Sequence, residues 1–74
     1  MNLTDLKIGQ KGKIRDFADH ELSIKLMEMG CLPGEIVSFD RVAPLGDPIA
    51  ISISGYQLCL RKEEAAVILI ERQP

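Results

Sequence analysis

The stretch from residue 49 to residue 60 constrains this chain more than any other. IAISI and YQLCL each alternate an apolar residue with a small or polar one, and they flank Ser54-Gly55. A period of two belongs to a half-buried strand, and two such runs around Ser-Gly read as a hairpin with a two-residue loop. That loop fixes the register. Ile53 faces Tyr56, Ile51 faces Leu58 and Ile49 faces Leu60, so all six fall on one face. Ala50 opposite Cys59 and Ser52 opposite Gln57 form the other face. A slip of one residue would turn a strand's apolar set to water, so the pairing is strongly specified. The six large side chains are expected to share one interior.

A helix is expected to seal that interior. Asp19 is a candidate N-cap and Glu21 puts negative charge in the first turn of a helix over 20–29. Leu22, Leu26 and Met29 recur at i, i+4 and i+7. Ile24 and Met27 widen the stripe, with Lys25 and Glu28 toward solvent. Gly30 stands where a C′ glycine would. Pro33-Gly34 then reads as a type II turn, because proline presets the second position and glycine accepts positive φ at the third. About ten residues is too short to be stable alone, so burial must hold this helix.

The remaining segments are shorter. Residues 3–9 read as a helical turn capped by Thr4 or Asp5 and closed by Gly9, with Leu3, Leu6 and Ile8 offering apolar contacts. Residues 11–17 read as a strand with Ile14 inward. Residues 35–42 read as a second, strongly bent strand with Val37 and Phe39 on one face. Residues 43–48, APLGDP, form a stiff loop, since Pro44 and Pro48 leave it little entropy to lose. Leu45 stands at its tip. Residues 62–66 make one helical turn, and VILIE, 67–71, forms a last strand in a central or closing position. Five short strands with one principal helix between the first two describe a mainly β fold: a small, partly open SH3-like β-barrel. Closure would limit exposed edges. An α+β two-layer sandwich is the alternative. Residues 1–74 make a single domain.

With 74 residues, only about 60% of the unfolded surface can be buried, so every periodic apolar side chain must serve. Nine basic and eleven acidic residues are dispersed, for a net charge of −2, which gives no general attraction to nucleic acid or anionic membrane. No apolar run approaches the ~20 residues of a membrane span, and MNLTDLKIG lacks the pattern of a secretory signal. Any membrane association is expected to be made through a partner. Two cysteines do not make a disulfide framework.

Chemistry-bearing residues are sparse. His20 is the sole histidine and reads as a plain surface residue near the helix start. No basic residue adjoins Cys31 to lower its pKa. No nucleophile-base set emerges, so no enzyme and no catalytic residue is expected. No metal or cofactor is expected; Cys31 and Cys59, helped by Met27 or Met29, are weak candidates for a soft metal. Phe17, Phe39 and Tyr56 with no basic groove make a poor nucleic-acid platform. Protein binding remains, through the 43–48 loop (Leu45, Gly46, Asp47) or the surface at Cys31, Leu32 and Pro33.

LMEMGCLPG, APLGDP and SGYQLCLRKEEA together, with the opening DLKIGQKGKI, make the chain closely resemble the FeoA family, ferrous-iron transport protein A. The resemblance covers nearly the whole chain. It implies an SH3-like barrel with an added helical segment. It implies a small cytosolic accessory protein of ferrous-iron uptake that contacts the cytosolic, GTPase-containing part of the membrane transporter FeoB. It marks Leu26, Met29, Gly30, Pro33 and Gly34 as a fold-setting motif, and Gly46, Asp47, Pro48, Gly55 and Arg61 as other shared positions. Cys31 departs from the family's usual aliphatic residue, and no arginine is marked as a finger for GTP hydrolysis. A transition-metal sensor and a nucleic-acid-binding barrel are the alternatives. A homo-oligomer that shares open sheet edges is a further expectation.

Overall fold

The computed structural model describes residues 1–74. A 3₁₀ turn, Leu3–Asp5, precedes β1 (Lys11–Phe17), α1 (His20–Glu28), β2 (Ile36–Val42), β3 (Ile49–Ile53), β4 (Tyr56–Leu60), α2 (Lys62–Ala65) and β5 (Ile68–Gln73). The strands form one antiparallel sheet in the order β4-β3-β2-β1-β5. The helix between β1 and β2 and the count of five strands agree with the pattern of the sequence.

The expected barrel does not form. β4 pairs only with β3 and β5 only with β1, so the sheet stays open. β5 is an end strand rather than a central or closing one. The outer edge of β5 is already taken by the N-terminus. The N–H of Ile70 donates to the carbonyl of Met1 at 2.9 Å, and Asn2 bridges Leu69. The cap of the 3₁₀ turn is Asn2, not Thr4 or Asp5. Its side chain accepts from the N–H of Thr4 at 2.8 Å, while Asp5 accepts from the N–H of Asn2 at 2.9 Å. The reciprocal pair holds the turn against the sheet, with Leu3 and Leu6 buried. Ile8, expected among the contacts, is exposed because the chain is already turning toward Gly9.

The hairpin has the anticipated register, with Ile53 opposite Tyr56, Ile51 opposite Leu58 and Ile49 opposite Leu60. Ser54 (φ 49°) and Gly55 (φ 84°) both take positive φ, as a type I′ loop requires. Five of the six apolar side chains reach the interior or its margin. Ile49, Ile51, Ile53 and Leu60 are buried, and Leu58 is half-buried against them. Tyr56 is the exception and stays 63% exposed. It begins the outermost strand, where no further strand covers its ring.

Asp19 does cap α1, accepting from the N–H of Leu22 at 3.0 Å. Leu26 and Ser23 are buried, and Leu22 and Met29 are half-buried. Ile24 and Met27 do not widen the stripe. At 100° per residue Ile24 lies about 160° from Leu26 around the helix, and both side chains are exposed. The helix stop is a Schellman arrangement. The N–H of Gly30 donates to the Met27 carbonyl at 3.0 Å and that of Cys31 to the Leu26 carbonyl at 2.9 Å. Gly30 has φ +106°, open to glycine. The hydrophobic contact that accompanies such a stop is supplied by Cys31 and Leu26, both fully buried in one core cluster. Cys31 thus stands in the core where a surface residue was expected.

Candidate functional site

The two candidate binding segments lie apart. The turn with Leu32 and Pro33 precedes β2, and the 43–48 loop follows it. Seven strand residues at about 3.3 Å each separate them by roughly 20 Å, so they are not one surface.

The loop is held in shape by its own backbone. The N–H of Gly46 donates to the Ala43 carbonyl at 2.8 Å, and that of Ala43 to the Pro48 carbonyl at 3.0 Å. A third tie reaches α2, because Asp47 Oδ1 accepts from the N–H of Lys62 at 2.9 Å. The Asp47-Pro48 peptide is cis. From this braced base Leu45 projects 97% exposed. Beside the loop, Arg41, Val42, Ala43, Pro44, Pro48, Ile49, Ala50 and Cys59 line a groove of about 330 Å³. Burial of a Leu-sized side chain is worth about 1.5–3 kcal/mol, so a rigid loop with an uncovered leucine is suited to docking. At the other end of β2, Leu32 is 45% exposed, so it does not cap the core; Pro33 beside it is exposed too. Pro33 and Gly34 form the expected turn, with Gly34 at φ +94° and the N–H of Glu35 donating to the Leu32 carbonyl at 3.1 Å.

Cys31 and Cys59 are not brought together. Cys31 is in the core, while Cys59 is exposed on the outer face of β4. Burial, and then the negative charge of Glu64, raises the Cys31 pKa above its ordinary value. That favours the thiol over the thiolate a metal or an electrophile would need. No group of three or more His, Cys, Asp or Glu side chains is gathered as a metal set would be. Of the other residues marked by the resemblance, Leu26 lies in the core, Met29 at its margin, and Arg61 at the start of α2.

Two polar residues that the sequence reading passed over organise the fold. Glu64 is 94% buried yet ionised. Its Oε2 meets Lys25 Nζ at 2.8 Å, and its Oε1 accepts from the N–H of Arg61 at 2.8 Å. The Lys25 hydrogen bond first, and then that of Arg61, lowers its pKa against the opposing effect of burial. Lys25 keeps the solvent-facing position expected of it, its side chain 61% exposed, while its ammonium reaches across from α1 to Glu64 of α2. KEEA after the hairpin was the available signal, but nothing local marks which acid turns inward. Asp40 is the second. The β2–β3 register shifts between Phe39 and Arg41, so Asp40 is the extra residue of a bulge. It accepts from the Ser52 hydroxyl, from Ser38 Oγ at 2.8 Å and from Gln57 Nε2 at 3.2 Å. These bonds, Ser52 first, lower its pKa. They lace β2, β3 and β4 across the outer face.

An open antiparallel sheet backed by one short helix, with a braced apolar loop, defines a small mainly β domain. Its family is shown directly: the model of the FeoA domain matches residues 1–72, and the chain belongs to the FeoA family of small accessory domains of ferrous-iron transport. The solution structure of iron(II) transport protein A from Clostridium thermocellum is 42% identical, with a TM-score of 0.87 over 97% of this chain and 45% of that one. A FeoA-like protein from Clostridium acetobutylicum is 37% identical, with a TM-score of 0.89 over 97% and 85%. A Porphyromonas gingivalis protein named Fe(2+) transport protein A/Fe(2+) transporter FeoB fusion protein is 33% identical over 72 residues. The match takes in 96% of this chain and 8% of that protein's length.

Proposed function

We propose that this domain assists ferrous-iron uptake in the cytoplasm by docking onto the cytosolic, GTPase-containing part of a FeoB-type transporter. The observation that carries the reading is the similarity to a protein whose name joins a FeoA unit to a FeoB transporter in one chain. Fusion places two partners at high effective concentration without new contacts, and the FeoA unit then engages the transporter through a surface of its own. The braced 43–48 loop is our choice for it, with Leu45 as the anchor and Gly46 and Asp47 setting its angle. Leu32 and Pro33, at the far end of β2, serve a second contact at most.

Titration of the chain against the isolated cytosolic region of its cognate transporter tests this, followed by heteronuclear NMR. Shifts concentrated at residues 43–48, and loss of at least tenfold in affinity for Leu45→Ser, are the expected results; tenfold corresponds to about 1.4 kcal/mol. The transporter reading fails if nothing binds at high micromolar concentration and iron uptake is normal in a deletion strain. Binding that Leu45→Ser leaves intact would reject the loop alone.

A further inference from the structure

The two ends of the sheet are not alike, and the difference points to a second copy of this chain. The outer edge of β5 is occupied by Met1 and Asn2. The outer edge of β4 has no such cover. In an antiparallel hairpin with a two-residue loop, the residues flanking the loop exchange hydrogen bonds, and bonded pairs then alternate. Tyr56, Leu58 and Leu60 therefore spend their backbone groups on Ile53, Ile51 and Ile49. The N–H and C=O groups of Gln57 and Cys59 point the other way, out of the sheet. Both residues are exposed.

We propose that β4 pairs with β4 of a second copy, antiparallel about a two-fold axis at Leu58. The register follows from the free groups. An axis at Leu58 sets Gln57 opposite Cys59 of the other copy and Cys59 opposite its Gln57. Both become bonded pairs, which satisfies every outward group of the strand. Leu58 then faces its own copy in a non-bonded pair, and Tyr56 meets Leu60. The half-buried Leu58 and the exposed Tyr56 lose water at that seam. YQLCL carries no charge and no proline, the two devices by which natural edges discourage this pairing. Charge favours it beyond the strand ends. The register brings basic Arg61 and Lys62 alongside the 54–55 turn of the other copy, on the side where Glu28 lines a groove with Met29, Gly30, Tyr56, Gln57 and Leu58. An isologous contact of this kind closes at two copies, because each β4 edge is then used. It does not depend on the transporter reading.

Sedimentation velocity over a wide concentration range tests the association. A reversible monomer–dimer equilibrium is expected, and a monomer at every concentration would overturn the proposal. The register is tested by cross-linking. Leu58→Cys in a Cys59→Ser background brings two thiols onto the axis, where non-bonded pairs have Cα atoms about 4.5 Å apart, inside the range a disulfide accepts. Leu45→Cys in the same background reports random collision, and Cys31 is buried in both. Dimer cross-linked at least tenfold faster at residue 58 supports the pairing. Equal rates reject it, as does an edge that takes up only an extended segment of another protein. Cys59→Pro removes one outward N–H and leaves the β3–β4 bonds in place. It should abolish the dimer while the far-ultraviolet circular dichroism is retained. A dimer that survives in folded Cys59→Pro excludes this edge.

Discussion

β5 and β4 are both end strands of one sheet, yet the chain treats them differently. β5 is screened by the N-terminal segment, which adds Leu3 and Leu6 to the core. On the same side Gly12 lets β1 approach closely, since a Cβ there would stand 2.6 Å from Ile70 Cδ1. β4 has only β3 for a neighbour, is laced to β2 through Gln57 and Asp40, and leaves Tyr56 in water. One edge is finished by the fold and the other is left for an encounter. In a domain this small, burial cannot be spread evenly, and the less buried side is where low-cost opening and binding are expected.

Truncation of the covered side should do the most damage. Leu3→Ala removes a fully buried side chain and is expected to cost about 2–5 kcal/mol, much of the stability of a marginal domain. Urea denaturation measures it. Hydrogen exchange should accelerate in β5 more than in β4; the reverse order would break the comparison. Gly12→Val should follow at about 1–3 kcal/mol through overpacking against Ile70.

The Lys25–Glu64 pair sharpens the comparison through pH. Folding holds the pKa of Glu64 below its ordinary value of 4.5. The unfolded chain therefore binds its proton at higher pH than the folded one. The stabilisation is present above the unfolded pKa and is lost as pH falls through the folded pKa. Glu64→Gln should lower stability near neutrality by about 1–3 kcal/mol and flatten this part of the acid slope. Thermal unfolding at pH 7 and below pH 4.5 checks both effects. An unchanged acid slope would mean that Lys25 is not its partner in solution.

Asp40→Asn, on the outer face next to the open edge, should have the smallest effect, under about 1 kcal/mol because its partners are solvent-accessible. The Asp40 pKa is also lowered from 3.8, so its contribution too is lost only on acidification. The expected signature is local: faster exchange in β4 with little change in the urea midpoint. A loss as large as that of Leu3→Ala would show that the outer lacing, not the N-terminal cover, holds the sheet.

Much of this arrangement is legible along the chain because its signals are local. A period of two with Ser54-Gly55 fixes the β3–β4 register, and Asp19, Gly30 and Pro33-Gly34 mark the ends of α1 and the turn after it. APLGDP announces a stiff loop, and Leu45 is found at its tip. Periodicity reports which face a residue takes but not what finally covers that face. Tyr56 is in phase with Ile49 and Ile51, yet it is exposed because β4 has no outer neighbour. Cys31 reads as surface next to Leu32, yet the Schellman stop folds it onto Leu26.

The sequence by itself determined the elements, the hairpin register and the family, because each depends on neighbours along the chain or on joined motifs. Only the tertiary structure decided that the sheet stays open, that Glu64 is the acid turned inward to Lys25, and which edge is covered. Those outcomes depend on competition between segments distant in sequence: Met1 and Asn2 occupy the outer edge of β5, and the hydrogen bonds they form there leave no place for β4.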